Sequence, residues 1–504
     1  MQYTIFAAID IGSYELELKI YELSKARGMK ELDCVRHRLE LGTDTYSTGK
    51  VGPEKMEELC EVLLSFTGIM KSYGASQYRA FATSAIREAK NRIIILDYIE
   101  KRTGLHIEVL SNSEQRFLDY KSFASLENEF NRIIQKGTAI IDVGGSSVQI
   151  SLFDKDSLVT TQNIRLGNLR LRERMSDIEY RYGHKEHLLE ELVNSDITSF
   201  RKLYLKDRKV ENIVLIGDYI SQLSDSTSVS RDDFMGIYDQ VLHNTASTVA
   251  LKYGLPEESV SLIIPSLVIY KRCIEEFGGE TVWMPGLELN DGNAYDFARK
   301  NGIIRSGHNF DEDIVAAARN MAKRYQCSKS HIRLLENAAM AIFDRTKKIH
   351  GLGARERLLL QIAVILHGCG KYISLSDVAN CSYSIIMATE IIGLSHNERE
   401  IVANVVKYNT LPFAYYEDGG YNISVDEYLT VAKLAAILRV VNALDRSHRQ
   451  KFTGIKVALK DKELVITVET TEDISLERGL FAEKAEFFEE VYSIRPVLRQ
   501  KKSV

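Results

Sequence analysis

Two stretches of the chain share one hydrophobic pattern. In the first, residues 5–9 are apolar, the run breaks at Asp10-Ile11-Gly12-Ser13, and residues 15–20 then alternate polar and apolar. In the second, Ala139-Ile140-Ile141 enters Asp142-Val143-Gly144-Gly145-Ser146-Ser147, and residues 148–153 lead away. Alternation at a period of two is that of a half-buried strand, so both copies predict strand, glycine turn, strand, with an aspartate ending the first strand. Between them, apolar residues at 56, 59, 62, 63, 66, 69 and 70 predict a helix over 53–73. Short strands are predicted over 78–83 and 105–110, and a helix from 113 to 123. Beyond the second copy, residues 210–217 read as a buried strand and 260–272 continue the same texture. Strands alternating with helices indicate an α/β architecture.

From about residue 309 the strand signal fades. His331, Leu334, Leu335, Ala338, Ala339, Ile342 and Phe343 recur at helical spacing, and 362–367, 385–392, 398–408 and 428–444 continue in that way. One late alternating piece, 464–468, predicts a small β-hairpin. The expected division is therefore 1–125 and 126–308 as two α/β lobes and 309–504 as a mostly helical domain, with a boundary in Arg305-Ser306-Gly307-His308.

Composition narrows the class. Over 504 residues, 45% are apolar and 27% charged, a soluble globular balance. The net charge of −5 argues against a general nucleic-acid binder. No apolar run of spanning length occurs, so no membrane partner is expected. The opening MQYTIFAAIDIG does not read as a signal peptide, and six scattered cysteines without a CxxC pair suit reduced thiols, so a cytoplasmic location is expected.

The two glycine turns carry the chemistry. Glycine lets successive backbone N–H groups face inward without a Cβ in the way, and such N–H groups form an anion site. A neighbouring aspartate can orient a metal-bound water. Asp10 and Asp142 are thus candidate metal ligands.

These segments resemble the exopolyphosphatase/guanosine pentaphosphate phosphohydrolase (Ppx/GppA) family. The resemblance rests on AAIDIGS (7–13), ATSAIREAKN (82–91), IEVLSNSEQ (107–115), AIIDVGGSS (139–147) and RLGNLRL (165–171). It implies two actin-like (ribonuclease H-like) lobes with a phosphate chain in the cleft between them. Phosphate-binding positions carried over are Asp10, Gly12, Ser13, Arg87, Asp142, Gly144, Gly145, Ser146 and Ser147. An arginine suits phosphate because its planar fork donates two hydrogen bonds to one group. The helical part is similar to an HD-type domain, through 358–374, 394–409 and 442–448, with His331, His367 and Asp445 at matching metal-ligand positions. A possible homodimer and Mg2+, if the protein is active, are further implications of the resemblance.

The chain also departs from the family pattern. Where a second glutamate acts as catalytic base stands Gln115, and where the second turn ends in a functional glutamate stands Gln149. Glutamine can position a water but cannot take its proton. Glu114, next to Gln115, is the candidate substitute base. Tyr14 and Ser146 depart too, and a later glycine motif has become Gly217-Asp218-Tyr219-Ile220-Ser221. In the HD-type region the aspartate of the pair is Gly368, and further histidines are lost at 378–383 and Asn409. Two functions stay open: hydrolysis of the terminal phosphate of inorganic polyphosphate or guanosine pentaphosphate, or binding of these chains by a catalytically impaired regulator. An actin-like kinase would need a glycine-rich adenosine turn that 217–221 does not supply.

Overall fold

The computed structural model describes residues 3–182, 185–305, 307–418 and 423–501. Ser306, in the expected boundary, lies outside them. The chain divides into two compact units, Met1–Asn309 and Phe310–Val504.

The first unit holds two sheets. In one, the order is β3-β2-β1-β4-β5, formed by β1 (Tyr3–Ile11), β2 (Glu15–Ser24), β3 (Gly28–Arg38), β4 (Gln77–Ala82) and β5 (Ile107–Val109). The other has the order β10-β11-β9-β6-β7-β8. It is built from β6 (Thr138–Val143), β7 (Val148–Asp154), β8 (Ser157–Ile164), β9 (Asn212–Ile216), β10 (Ser228–Ser230) and β11 (Thr281–Trp283). Both repeat one scheme. An antiparallel meander of three strands (β1–β3, β6–β8) is extended in parallel by the strand that follows a helical crossover, β4 or β9.

Register decides which side chains meet at the turns. Asp10 lies opposite Glu17 across β1/β2, and Asp142 opposite Gln149 across β6/β7. Directly opposed residues of an antiparallel pair project to the same face, so each aspartate has a polar neighbour from the strand that leaves the turn. Ala7, Ile9, Ile11, Leu16, Leu18 and Ile20 are fully buried in one core, and Ala139, Ile141, Val148 and Ile150 in the other.

The helix Pro53–Ser72 starts on a proline at its first turn, where the missing N–H costs nothing. The helix Asn112–Ala124 starts on a capping box: the Ser111 hydroxyl accepts from Glu114 N–H, and the Glu114 carboxylate accepts from Ser111 N–H at 3.0 Å. One assignment needs correction. Residues 289–300, expected with the second lobe, form the helix Leu289–Lys300, which packs on the first. Ala294 and Ala298 join Phe6, Ala8, Tyr21 and Leu23 in one apolar cluster.

The second unit is mostly helical, with helices Phe310–Arg324, Lys329–His350, Ala354–Leu366, Val378–Ala388, His396–Lys407, Val425–Ala443 and Ser475–Tyr492. The predicted hairpin is present as β12 (Gly454–Lys460) and β13 (Glu463–Glu469), but it is part of a larger motif. After the helix Ser475–Tyr492, β14 (Arg495–Lys501) returns parallel to β13 and makes a three-stranded sheet. Among the described residues no helix is long and apolar enough to cross a membrane.

Candidate active site

The two turns are closed by equivalent hydrogen bonds: Gly12 N–H donates to Glu15 O, and Gly144 N–H to Ser147 O, both at 3.0 Å. The carbonyls of Ser13, Gly144 and Gly145 accept from the N–H groups of Gly42, Asn168 and Arg170. The turns face each other closely, since a Cβ on Gly145 would lie 2.9 Å from Ser13 Cβ, so only glycine fits there. Ser13 Oγ sits 2.7 Å from Tyr46 Oη and 2.8 Å from Ser84 Oγ, placing a hydroxyl cluster beside the turns. Across the two lobes, Arg170 donates to Glu88 at 2.9 Å and Tyr219 Oη to Glu15 at 2.9 Å.

Between the turns is a cavity of about 100 Å³. Its walls are acidic: Asp10 comes from β1, Glu15 and Glu17 from β2, Asp119 from the helix Asn112–Ala124, Asp142 and Asp218 from the second lobe, and Glu288 from the segment that returns to the first. Among the described residues lining it, none is lysine or arginine. Burial, with Glu288, Glu15 and Asp142 close by, pushes the Asp10 carboxyl up to about 8. Burial also raises Asp142, to about 6, against the opposing effect of its hydrogen bond with Asp119. Asp119 is raised well above the usual carboxylate range by burial and by Asp142. Asp218 is raised as well, by burial and by Glu15 and Glu288.

At one edge the acids are neutralised. Arg36 pairs with Glu17 at 2.9 Å and with Glu288, while Lys19 reaches Glu288 at 2.8 Å and Asp291 at 3.1 Å. Burial works against ionisation of Glu288, but the hydrogen bond from Glu17 and the Lys19 and Arg36 charges hold it down at about 2. Those two cations are therefore occupied in holding the returning segment to the first sheet.

The expected site residues fall into three groups. Asp10, Gly12, Ser13, Gln115, Asp142, Gly144, Gly145, Ser146 and Ser147 all line the cavity. Gln149 and Arg87 stand just behind it. Gln149 lies beside Asp142 across the strands, 4% exposed, its Oε1 without a hydrogen-bond partner. Arg87 donates to Leu110 O at 2.7 Å and to Gln115 Oε1 at 3.4 Å, so it touches the cavity through Gln115. Glu114 is the third case. Its carboxylate holds Ser111 N–H and, at 2.7 Å, the Ser111 hydroxyl, and it is absent from the cavity wall. Its place as substitute base is corrected accordingly: the residue is the helix cap. Missed from sequence were Glu15, Glu17, Ser84, Asp119 and Glu288. Asp119 was within reach, being one helical turn after Gln115, and Glu17 followed from the register with Asp10. Glu288 carried no local signal.

In the second unit His331, His367 and Asp445 do meet. His331 Nδ1 lies 2.7 Å from Asp445 Oδ2, and His331 Nε2 lies 3.2 Å from His367 Nε2. His448 stacks on His331, with ring centroids 3.8 Å apart. Asp445 also accepts from Gln450 N–H and Nε2, both at 2.9 Å. Gly368, at the position of the missing aspartate, offers no side chain here.

A family model described as "Ppx/GppA phosphatase family" matches residues 20–300, and a second, "Ppx/GppA phosphatase, domain III", matches residues 315–485. The chain belongs to the Ppx/GppA phosphatase family. It is 20% identical over 492 residues, 92% of this chain and 91% of the relative, to the guanosine-5'-triphosphate,3'-diphosphate pyrophosphatase of Photobacterium profundum. It is 28% identical over 147 residues to exopolyphosphatase 1 of Mycobacterium leprae, covering 28% of this chain and 41% of that one. Among solved structures, an exopolyphosphatase from Cytophaga hutchinsonii aligns with a TM-score of 0.50 at 16% identity, covering 60% of this chain and all (100%) of that one. At 16% identity this likeness shows the fold alone, the two actin-like lobes. The helical region matches as Ppx/GppA domain III.

Metal dependence is typical of Ppx/GppA phosphohydrolases, and the donors present fit a hard divalent cation. All are oxygens, as such ions prefer, and buried oxygens of Asp10, Asp119 and Gln149 lack a hydrogen-bond partner. Among the described residues no three of His, Cys, Asp or Glu are already arranged to hold a metal ion.

Proposed function

We propose that this Ppx/GppA protein takes the end of a phosphoanhydride chain, inorganic polyphosphate or guanosine pentaphosphate, into the cavity together with a divalent cation and releases the terminal phosphate slowly. One observation carries the reading: the cavity between the two glycine turns is walled by carboxylates, yet glutamine stands at both positions where the family pattern has a functional glutamate. A bare polyanion is repelled by such a wall, so cation and phosphate belong together there. Mg2+ held at Asp142, with Asp10 beside it, would supply the positive charge that phosphate oxygens need. The Ser13 and Ser84 hydroxyls and the turn N–H groups beyond Gly12 and Gly144 would donate to phosphate oxygens. Gln115, steadied by Arg87, orients a water through its amide but cannot deprotonate it.

Loss of a general base lowers a rate by ~100- to 10,000-fold, hence slow release. A second reading, a regulator that binds the chain without turnover, is favoured by the same two glutamines. Phosphate release from long-chain polyphosphate and from guanosine pentaphosphate, with Mg2+, decides between them. Slow release that disappears in Asp142→Asn supports hydrolysis, and binding without release supports the regulator. Neither binding nor release would refute both. An HD-type origin of the helical unit belongs to the proposal, supported by the meeting of His331, His367 and Asp445. So does a cytoplasmic location, supported by six thiols that form no disulfide.

A further inference from the structure

We propose that Asp119 is a ligand of the cation in this cavity, which binds between the Asp119 and Asp142 carboxylates and so joins the helix Asn112–Ala124 to β6. This deepens the functional reading above and rests on it. Asp119 follows Gln115 by four residues, one turn along the same helical face, and both line the cavity. The helix thus presents a carboxylate to the cavity one turn deeper than the glutamine, about 6 Å further along at 1.5 Å per residue.

Three features of Asp119 fit a ligand in the cavity. The residue is 5% exposed, and its Oδ2 has no hydrogen-bond partner. Its immediate neighbours Phe117, Leu118 and Tyr120 are buried hydrophobics, and the buried Arg116, three residues earlier, is the nearest opposite charge on the helix. The carboxyl is in hydrogen-bonding contact with Asp142 and close to Asp10, and Arg116 is the only attraction that offsets this repulsion among its main neighbours. Buried acids in contact are costly unless something positive joins them.

The chemistry selects the ion. Two carboxylates and no nitrogen or sulfur donor suit a hard divalent cation, and Mg2+ in particular is held by one or two carboxylates while its other positions keep water or phosphate oxygens. The cavity of about 100 Å³ is well above the ~10–15 Å³ needed for a water.

The test is a titration of the full-length, metal-free protein with MnCl2, following free Mn2+ by electron paramagnetic resonance. Wild type, Asp119→Asn and Asp142→Asn are compared, each checked for an unchanged melting profile, and Asp119→Glu keeps a carboxylate if the asparagine variant misfolds. The expected result is one Mn2+ site in wild type, weakened at least ~10-fold in either asparagine variant and partly restored in Asp119→Glu. Unchanged Mn2+ affinity in Asp119→Asn with loss in Asp142→Asn would overturn the assignment, as would no Mn2+ site in wild type. Polyphosphate binding, measured separately, keeps the two proposals apart. Mn2+ bound through Asp119 without polyphosphate binding would refute the functional reading alone. Mg2+-dependent polyphosphate binding unchanged by Asp119→Asn would refute this inference alone.

Discussion

Asp296→Asn probes how the helix Asn112–Ala124 is held. Asp296 lies on the returning helix Leu289–Lys300 and its side chain is 3% exposed. It accepts from Lys121 at 2.6 Å, Arg79 at 3.0 Å and Lys300 at 2.9 Å. Lys121 is equally buried, 3% exposed, and belongs to the helix that carries Gln115 and Asp119. Burial draws the Lys121 ammonium down to about 8, with Asp296 opposing it. Asparagine keeps the shape but removes the negative charge, leaving Lys121 to stay charged without its carboxylate or to give up its proton. Breaking a buried pair by removing one partner costs ~3–5 kcal/mol, and neutralising a lysine at pH 7 from its ordinary value near 10.4 sets a ceiling of about 5 kcal/mol.

Urea unfolding followed by Trp283 fluorescence reads this directly, because Trp283 is the only tryptophan and lies in the first unit. At a slope of ~3 kcal/mol/M the midpoint should fall by ~1 M or more. The sign of the pH dependence is a further check. In the variant the folded-state value of Lys121 falls below the wild type's value of about 8, so the loss shrinks as pH rises from 7 toward 8 and levels off above it, where both proteins gain alike. Lys121→Met in the Asp296→Asn background should recover more than half of the loss. A single-variant cost below ~1 kcal/mol, or one that grows with pH, refutes the reasoning.

Further outcomes follow from the same geometry. Gln115→Glu with Gln149→Glu should raise Mg2+-dependent phosphate release by ~100-fold or more, measured as orthophosphate from long-chain polyphosphate. Gly145→Ala drives a Cβ to 2.9 Å from Ser13 Cβ, so it should lower stability by ~1–3 kcal/mol in the same urea assay and weaken polyphosphate binding. In the helical unit, burial and the nearby His331 bring His367 down to about 3, and burial with His331 brings His448 to about 4. These folded-state values lie below the unfolded one near 6.5, so their contribution is complete above pH 6.5 and is lost as pH falls from there toward 3. Hydrogen exchange of the helix Lys329–His350 across that range should show it, and His367→Asn should flatten the trend.

Local periodicity made much of this fold readable. The strand–turn–strand copies, the helix Pro53–Ser72 and the helix Asn112–Ala124 follow from alternation, a proline start and a Ser-x-x-Glu cap. That same cap decided Glu114: its carboxylate is spent on the helix terminus, and reading Ser111 and Glu114 together would have removed it from the candidate bases. Long-range pairing stayed hidden. β3 is polar and half-exposed, so it lacks a strong apolar stripe, and β14 becomes a strand only by pairing with β13. The return of 289–300 to the first sheet depends on Lys19 and Arg36 meeting Glu288, residues more than 250 positions apart in the chain. The glycine turns located the cavity, but its acidity emerged only when β2, the helix Asn112–Ala124, the 217–221 turn and the returning segment were brought together.

The most direct test of the central claim is equilibrium binding of long-chain polyphosphate to wild type and to Asp142→Asn, with and without Mg2+. The account predicts binding that needs Mg2+ and is lost in the variant. Binding unaffected by either change, or no binding by wild type, would contradict it.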